Sequence, residues 1–410
     1  MAPPAPAAAA PPMRLHSPVP APPALWYRRR HTSTARVSND EQDTPVNTKQ
    51  PRLWTLALAA LIVSALTGRA ADATPEPFRD GDRVCFVGDS ITHGGLYHAD
   101  IYLFYVTRFP DRHIVMFNCG ISGDSAAGAV RRFDWDIAPH QPTVSTIMLG
   151  MNDVSRGLYG KENPDAALLQ RRQAAIDGHV ASLRQLAGAL KAKGSRLVFI
   201  TPSIYDQTST MATENLFGVN DALGLCAEQA RTLAAECGGS VVDFHGAMTR
   251  LNAEYQKADP AGTIVGKDRV HPGPMGHLVM AYLFLKAQGV SPLVSRTVID
   301  AAAGKAVEVQ NAAATGLTAT ASQVAFVSLE KALPFPVPTS AEGALKLVPY
   351  HISPKYSGNP WALRVSVKVL IVRQARSSKS GATGSPLNPA WSRSARVAVF
   401  HSSGSTAMMR

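Results

Sequence analysis

Cysteine is scarce, with 4 in 410 residues. A scaffold stapled by disulfides is therefore excluded, and at this length none is needed, because the chain is long enough for two or three domains with cores of their own. Charge is sparse as well: 17% of residues are Asp, Glu, Lys or Arg against 45% apolar, which excludes a wholly disordered chain. The apolar stretch Leu53 to Leu66 spans 14 residues, short of the roughly 20 that cross a bilayer core of about 30 Å. A glycine-rich phosphate loop with Lys, a CxxC pair and a His-x-x-x-His pattern are all missing, so metal and nucleotide chemistry have no support. No cofactor and no metal are expected.

Acidic residues are absent from positions 351–410, where nine Lys and Arg stand. The first fifty residues carry six basic and three acidic side chains, which leaves 26 basic against 27 acidic over positions 51–350. The formal charge of +11 thus belongs to the two ends. A near-neutral centre lacks the electrostatic footprint of a nucleic-acid binder, so no nucleic-acid partner is expected.

Residues 1–48 are a Pro/Ala-rich extension that includes Arg28, Arg29 and Arg30 and has no apolar periodicity, so disorder is expected there. Residues 49–73 have the three parts of a secretory signal peptide: Lys49 and Arg52, the apolar stretch, then Ala71, Asp72 and Ala73 in an A-x-A arrangement. Export to a secreted or periplasmic location follows, with membrane contact only through this segment if it stays uncleaved. The fifty residues ahead of it are expected to reflect start-site choice, with translation beginning near Val46.

From Arg83 the texture is regular. Strands are predicted at Arg83 to Val87, His113 to Asn118, Val144 to Leu149, Arg196 to Thr201 and Ser240 to Asp243. Helices are predicted at Tyr97 to Phe109, Ser125 to Phe133, Asp165 to Lys193, Asn215 to Glu236 and Pro274 to Ala287. This alternation predicts an α/β fold with a parallel sheet covered on both faces. Right-handed crossovers bring the C-terminal strand ends to one edge, where such sheets hold their ligands. Residues 291–340 read as a small β appendage, with strands near Thr297 to Ile299, Ala306 to Val309 and Gln323 to Leu329. The Pro-rich stretch Leu333 to Pro338 closes it, and residues 341–410 read as a basic, disordered or frameshifted tail.

The chemistry sits at those strand ends. The first strand leads into Gly88, Asp89 and Ser90, and a nucleophilic serine needs an exposed turn with backbone N–H groups around it. The second leads into Gly120, where an absent side chain lets the backbone reach a substrate. The third leads into Gly150, Asn152 and Asp153, and an asparagine there can donate to an oxyanion. A last polar loop holds Asp268, Arg269, Val270, His271 and Pro272. Histidine suits a general base near neutral pH, and an acid three residues away in the same loop can hold its tautomer. His93, His98, His113, His140, His245 and His277 have duller explanations. Arg156 and Tyr159, in or beside the Gly157 to Pro164 segment, are candidate pocket residues. Cys85 and Cys119 read as buried small apolar residues, and Cys226 and Cys237, about 16 Å apart on one helix, are too distant to pair.

These four blocks in order resemble the SGNH (GDSL) hydrolase family across roughly residues 80–290, within a catalytic domain expected at 74–290. The resemblance implies a doubly wound, flavodoxin-like three-layer α/β/α sandwich and a serine esterase working through an acyl-enzyme. It implies Ser90 as nucleophile, His271 as base and Asp268 as its orienting acid. The Ser90 and Gly120 N–H groups and the Asn152 side chain would form the oxyanion hole, with Gly88, Asp89 and Gly150 supporting. The expected partner is a small-molecule or polysaccharide ester, short-chain or carbohydrate O-acetyl. A lipase or lysophospholipase and a catalytically silent glycan binder are the alternatives.

Overall fold

Successive residues of a strand face opposite sides of a sheet, so a strand buried on both sides must be apolar throughout. β1 (Arg83–Gly88) meets that condition: Val84 and Phe86 join one buried cluster, Cys85 and Val87 another. The computed structural model describes residues 72–320, 323–348, 364–370 and 407–408, the last two stretches as backbone. With β2 (Val115–Gly120), β3 (Val144–Met148), β4 (Arg196–Ile200) and β5 (Ser240–Val242), β1 forms a five-stranded parallel sheet in the order β2-β1-β3-β4-β5. The order reverses beside β1, and in open sheets of this kind the crevice at that reversal is the ligand site.

Helices cover both faces, giving the α/β sandwich that the alternation predicts. The short α1 (Ser90–His93) follows β1 directly, and α2 (Leu96–Arg108) follows it. On one face α2, α6 (His245–Gln256) and α7 (Pro274–Ala287) bury Phe104, Met248 and Phe284. On the other, α3 (Ala126–Arg132) and α4 (Ala166–Ala192) bury Ala129 and Leu186, and α5 (Val219–Cys237) contributes to both clusters. The predicted helix from Asn215 starts at Val219 instead, because Gly218 holds a left-handed φ of 96° and caps it. Cys226 and Cys237 do share one helix, and all four cysteines are free.

The ends of the folded unit differ from expectation. The expected signal segment lies outside the described residues up to position 71. Residues 72 and 73, placed with it, belong to the fold: Asp72 is ion-paired with Arg231, and the Ala73 carbonyl accepts the Val241 N–H at 2.8 Å. Among the described residues, no helix is long and apolar enough to cross a membrane.

The appendage pairs β6 (Leu293–Asp300) with β7 (Lys305–Gln310), and β8 (Ala312–Ala319) with β9 (Val324–Glu330), both antiparallel. The boundary expected at 340 is corrected. A 3-10 run at Thr339–Lys346 lies on α7, and Phe335, Ala341, Ala344 and Val348 enter the main core cluster. Within the expected tail, β10 (Arg364–Leu370) pairs in parallel with β6, and β11 (Ala407–Met408) pairs with β9.

Candidate active site

Ser90 is the first residue of α1, and Asp89 makes that start possible. Asp89 is extended, and its buried carboxylate accepts the Ile91 N–H at 3.0 Å, an N-cap that leaves the Ser90 N–H without a protein acceptor among the described residues. Burial pushes the Asp89 pKa up to about 6, the Ile91 N–H tempers the rise, and the charge of Asp153 adds to it.

From across the site, the loop ahead of α7 brings its two titratable groups to the serine. Ser90 Oγ lies 2.7 Å from His271 Nε2, and His271 Nδ1 lies 2.5 Å from Asp268 Oδ2. The loop holds itself in shape, because Asp268 Oδ1 accepts the N–H groups of Val270 at 3.1 Å and His271 at 3.0 Å. Partial burial alone would raise the Asp268 pKa. The hydrogen bonds from the His271 ring, the His271 amide and the Val270 amide outweigh it and hold the carboxyl below its usual range.

The remaining predicted residues surround this chain unequally. Asn152 donates one N–H to the Asp124 carbonyl at 2.8 Å, and its Oδ1 faces Arg156 Nη1 at 3.4 Å. An amide carries two N–H groups, so the second is left for a ligand. Gly150, at φ 140°, adopts a backbone that side chains rarely take, and a Cβ there would meet Pro202 at 2.8 Å. A Cβ on Gly88 would meet the Thr92 side chain.

Gly120 corrects the expectation. Its N–H is already given to Asn118 Oδ1 at 3.0 Å, which removes it as an oxyanion donor. What requires glycine there is a close approach: a Cβ would meet His93 N at 2.4 Å and Thr92 C at 2.7 Å, in the backbone of α1. Three residues on, the Gly123 N–H has no protein acceptor among the described residues.

Sequence reasoning missed the groups that hold this edge together. Arg132 is buried, ion-paired with Asp124 at 2.7 Å and with Asp136, and it donates to the Cys119 carbonyl at 2.8 Å. One guanidinium thereby fastens the end of β2 to the loop that carries Gly123. His93 Nδ1 meets Ser122 Oγ at 2.9 Å and ties α1 to the same loop. In the sequence Arg132 stands in a charged run, beside Arg131 and ahead of Asp134 and Asp136, and nothing in that run marks it as internal. Tyr159, a candidate for the pocket, is buried under Arg172 instead, whereas Arg156 does line the site. Two cavities open here, of about 410 Å³ beside Asn152 and about 300 Å³ beside His271, and Arg156 and Leu216 border both.

The model of the GDSL-like Lipase/Acylhydrolase family matches residues 86–279, a span that holds all four blocks. The chain belongs to this family. It is an ester-hydrolysing enzyme, and its five-stranded parallel sheet with flanking helices is the family's fold. Among characterised proteins, the esterase is similar to an acetylxylan esterase of Geobacillus stearothermophilus, 26% identical over 231 residues, 53% of this chain and 98% of the relative. Among solved structures, it is similar to one described as a gut microbial diltiazem-metabolizing enzyme, at 32% identity and a TM-score of 0.64. That match covers 73% of this chain and 68% of the other.

Proposed function

We propose that the esterase is an exported serine enzyme that removes short acyl groups, acetyl above all, from carbohydrate alcohols. The observation that carries this reading is the unbroken chain from Ser90 Oγ through His271 to Asp268, at 2.7 and 2.5 Å. His271 Nε2 takes the serine proton as Ser90 Oγ attacks the ester carbonyl, and Asp268 holds the imidazolium that forms. Negative charge then gathers on the former carbonyl oxygen. The Ser90 and Gly123 N–H groups and the second Asn152 N–H are the donors free to receive it. His271 next protonates the departing alcohol, leaving an acyl group on Ser90. Water enters, loses its proton to the same nitrogen and releases the acid.

The acetylxylan esterase relative supports an acetyl ester of a sugar. The two cavities, of about 410 and about 300 Å³, carry Met151, Leu158, Tyr205, Leu216 and Val270 among their walls, and their limited size suits a short acyl group better than a long lipid chain. Domain limits go with the reading: a signal segment at 49–73, a catalytic unit at 74–290 and an appendage at 291–340, with Asp72, Ala73 and residues 341–348 added to the folded part.

The test is turnover of para-nitrophenyl esters from acetate to long chain, by the full chain and by Ser90→Ala and His271→Ala. Turnover is expected to fall with acyl length, and each variant to lose at least about 99% of it, since the pair acts as one unit. Activity that rises with chain length would move the reading to lipid esters, and activity that survives Ser90→Ala would remove the serine from the chemistry.

A further inference from the structure

We propose that Arg269 is a positioning residue that builds the subsite for the alcohol half of the ester. The inference rests on the catalytic reading above and adds where the alcohol is held and what holds its wall.

Chemistry locates the subsite. His271 Nε2 must hand its proton to the departing oxygen, so the alcohol lies within hydrogen-bond reach of that nitrogen. The cavity of about 300 Å³ that His271 borders is therefore the alcohol's place. Two chain segments supply nearly all of its wall. One contributes Tyr205, Thr213, Glu214 and Leu216, and the other is the catalytic loop from Lys267 to His271.

Arg269 joins these two segments. It stands between Asp268 and His271, is fully buried, and has a left-handed φ of 64°. Its Nε donates to the Thr213 carbonyl at 3.3 Å. Nη1 donates to the carbonyls of Asp206 at 2.8 Å and Ser209 at 3.1 Å, and Nη2 to those of Met211 and Thr213, both at 2.9 Å. A guanidinium has five N–H donors, and all five are used. The Arg269 carbonyl in turn accepts the Asp206 N–H at 2.9 Å.

The acceptors are informative. A buried cation is normally neutralised by a carboxylate, yet every partner here is a main-chain carbonyl of residues 206–213. That segment has no helix or strand of its own to satisfy its carbonyls. The guanidinium replaces secondary structure for it and fixes Thr213 and Glu214 opposite Lys267 and His271. Lysine offers donors from a single point and cannot span four carbonyls in a planar fork. Polar groups from both segments, Thr213, Glu214 and Lys267, then face the alcohol together with Arg156 from a third, which suits a polyhydroxylated alcohol.

The experiment compares the full-length wild type with Arg269→Ala, Arg269→Lys and Glu214→Ala on two acetates, para-nitrophenyl acetate and an acetylated xylo-oligosaccharide. Both Arg269 variants are expected to raise KM for the oligosaccharide by about tenfold or more, with an effect on kcat/KM at least about five times that seen with para-nitrophenyl acetate. Millimolar guanidinium is expected to restore part of the loss in Arg269→Ala and none in Glu214→Ala. An equal loss on both acetates without guanidinium rescue overturns the inference, as does an unchanged oligosaccharide KM. If neither Arg269 variant folds, Glu214→Ala decides, because an unchanged oligosaccharide KM in that variant takes the alcohol away from this wall. A wild type that hydrolyses neither acetate removes the catalytic reading itself, a different result from an active enzyme whose Arg269 variants show no substrate split.

Discussion

Asp89 keeps a carboxyl group inside the protein at the turn that presents Ser90, the proposed nucleophile. Its pKa of about 6 in the fold stands above the ordinary value of 3.8. Between those values the folded chain keeps a proton that the unfolded chain has lost, so stability is greatest below the lower one and declines as pH rises through 6. Asparagine retains the oxygen that accepts the Ile91 N–H and cannot ionise. Asp89→Asn is therefore expected to raise the melting temperature at pH 7, by a stabilisation of up to about 3 kcal/mol, and to leave it nearly unchanged below about pH 3. Thermal unfolding at the two pH values measures it, and an equal shift at both would show that ionisation is not the cause. Residue by residue, the proposed reacting groups were legible as candidates because each sits in a short local pattern. Gly120 was misjudged because the availability of an amide depends on where the Asn118 side chain turns. Arg132 and Arg269 were illegible for a related reason: an arginine among other charges, as in Arg131-Arg132 and Lys267-Asp268-Arg269, looks like a solvated one, and only the surrounding carbonyls and acids make it internal.

Between elements, the decisive contact is the one between β2 and α1. Gly120 lets the backbone of α1 pass against the end of β2, and backbone cannot yield as a side-chain tip can. Gly120→Ala is expected to cost about 1–3 kcal/mol or more and to reduce turnover severely, because α1 carries Ser90. Gly178→Ala is the control: it lies within α4 with open space at its Cβ, and should be neutral or stabilising by about 0.5–1 kcal/mol. Urea unfolding and ester turnover on the two variants compare them, and equal behaviour would deny the close approach. The five strands and the long helices were readable from apolar periodicity. α6 was not, since its sequence from His245 to Gln256 buries little beyond Met248 and Asn252. β8 escaped notice because Ala312 to Ala319 is built of small residues without alternation.

At the scale of the whole molecule, the sequence suggested a catalytic unit followed by an appendage and a tail, and the packing joins them. Residues 333–348 return to α7 and bury Phe335, Ala341, Ala344 and Val348 in the same core as Phe86 and Phe284. A chain ending at Ser340 is therefore expected to be less stable than one ending at Val348, on the order of 3 kcal/mol for the apolar surface returned to water. Chemical denaturation of the two truncated chains measures the difference, and equal midpoints would detach the segment from the core. Composition favoured a boundary at 340 because the stretch is short and proline-bordered, and burial of small residues leaves little periodic signal. The return of residues 333–348 also has a consequence for biosynthesis. The helix α7 is made well before the segment that covers it, so a growing chain leaves the ribosome with all its reacting groups already synthesised and one apolar helix face still bare. Completion of the core waits on this later-made segment, and until it arrives the bare helix face is exposed to aggregation.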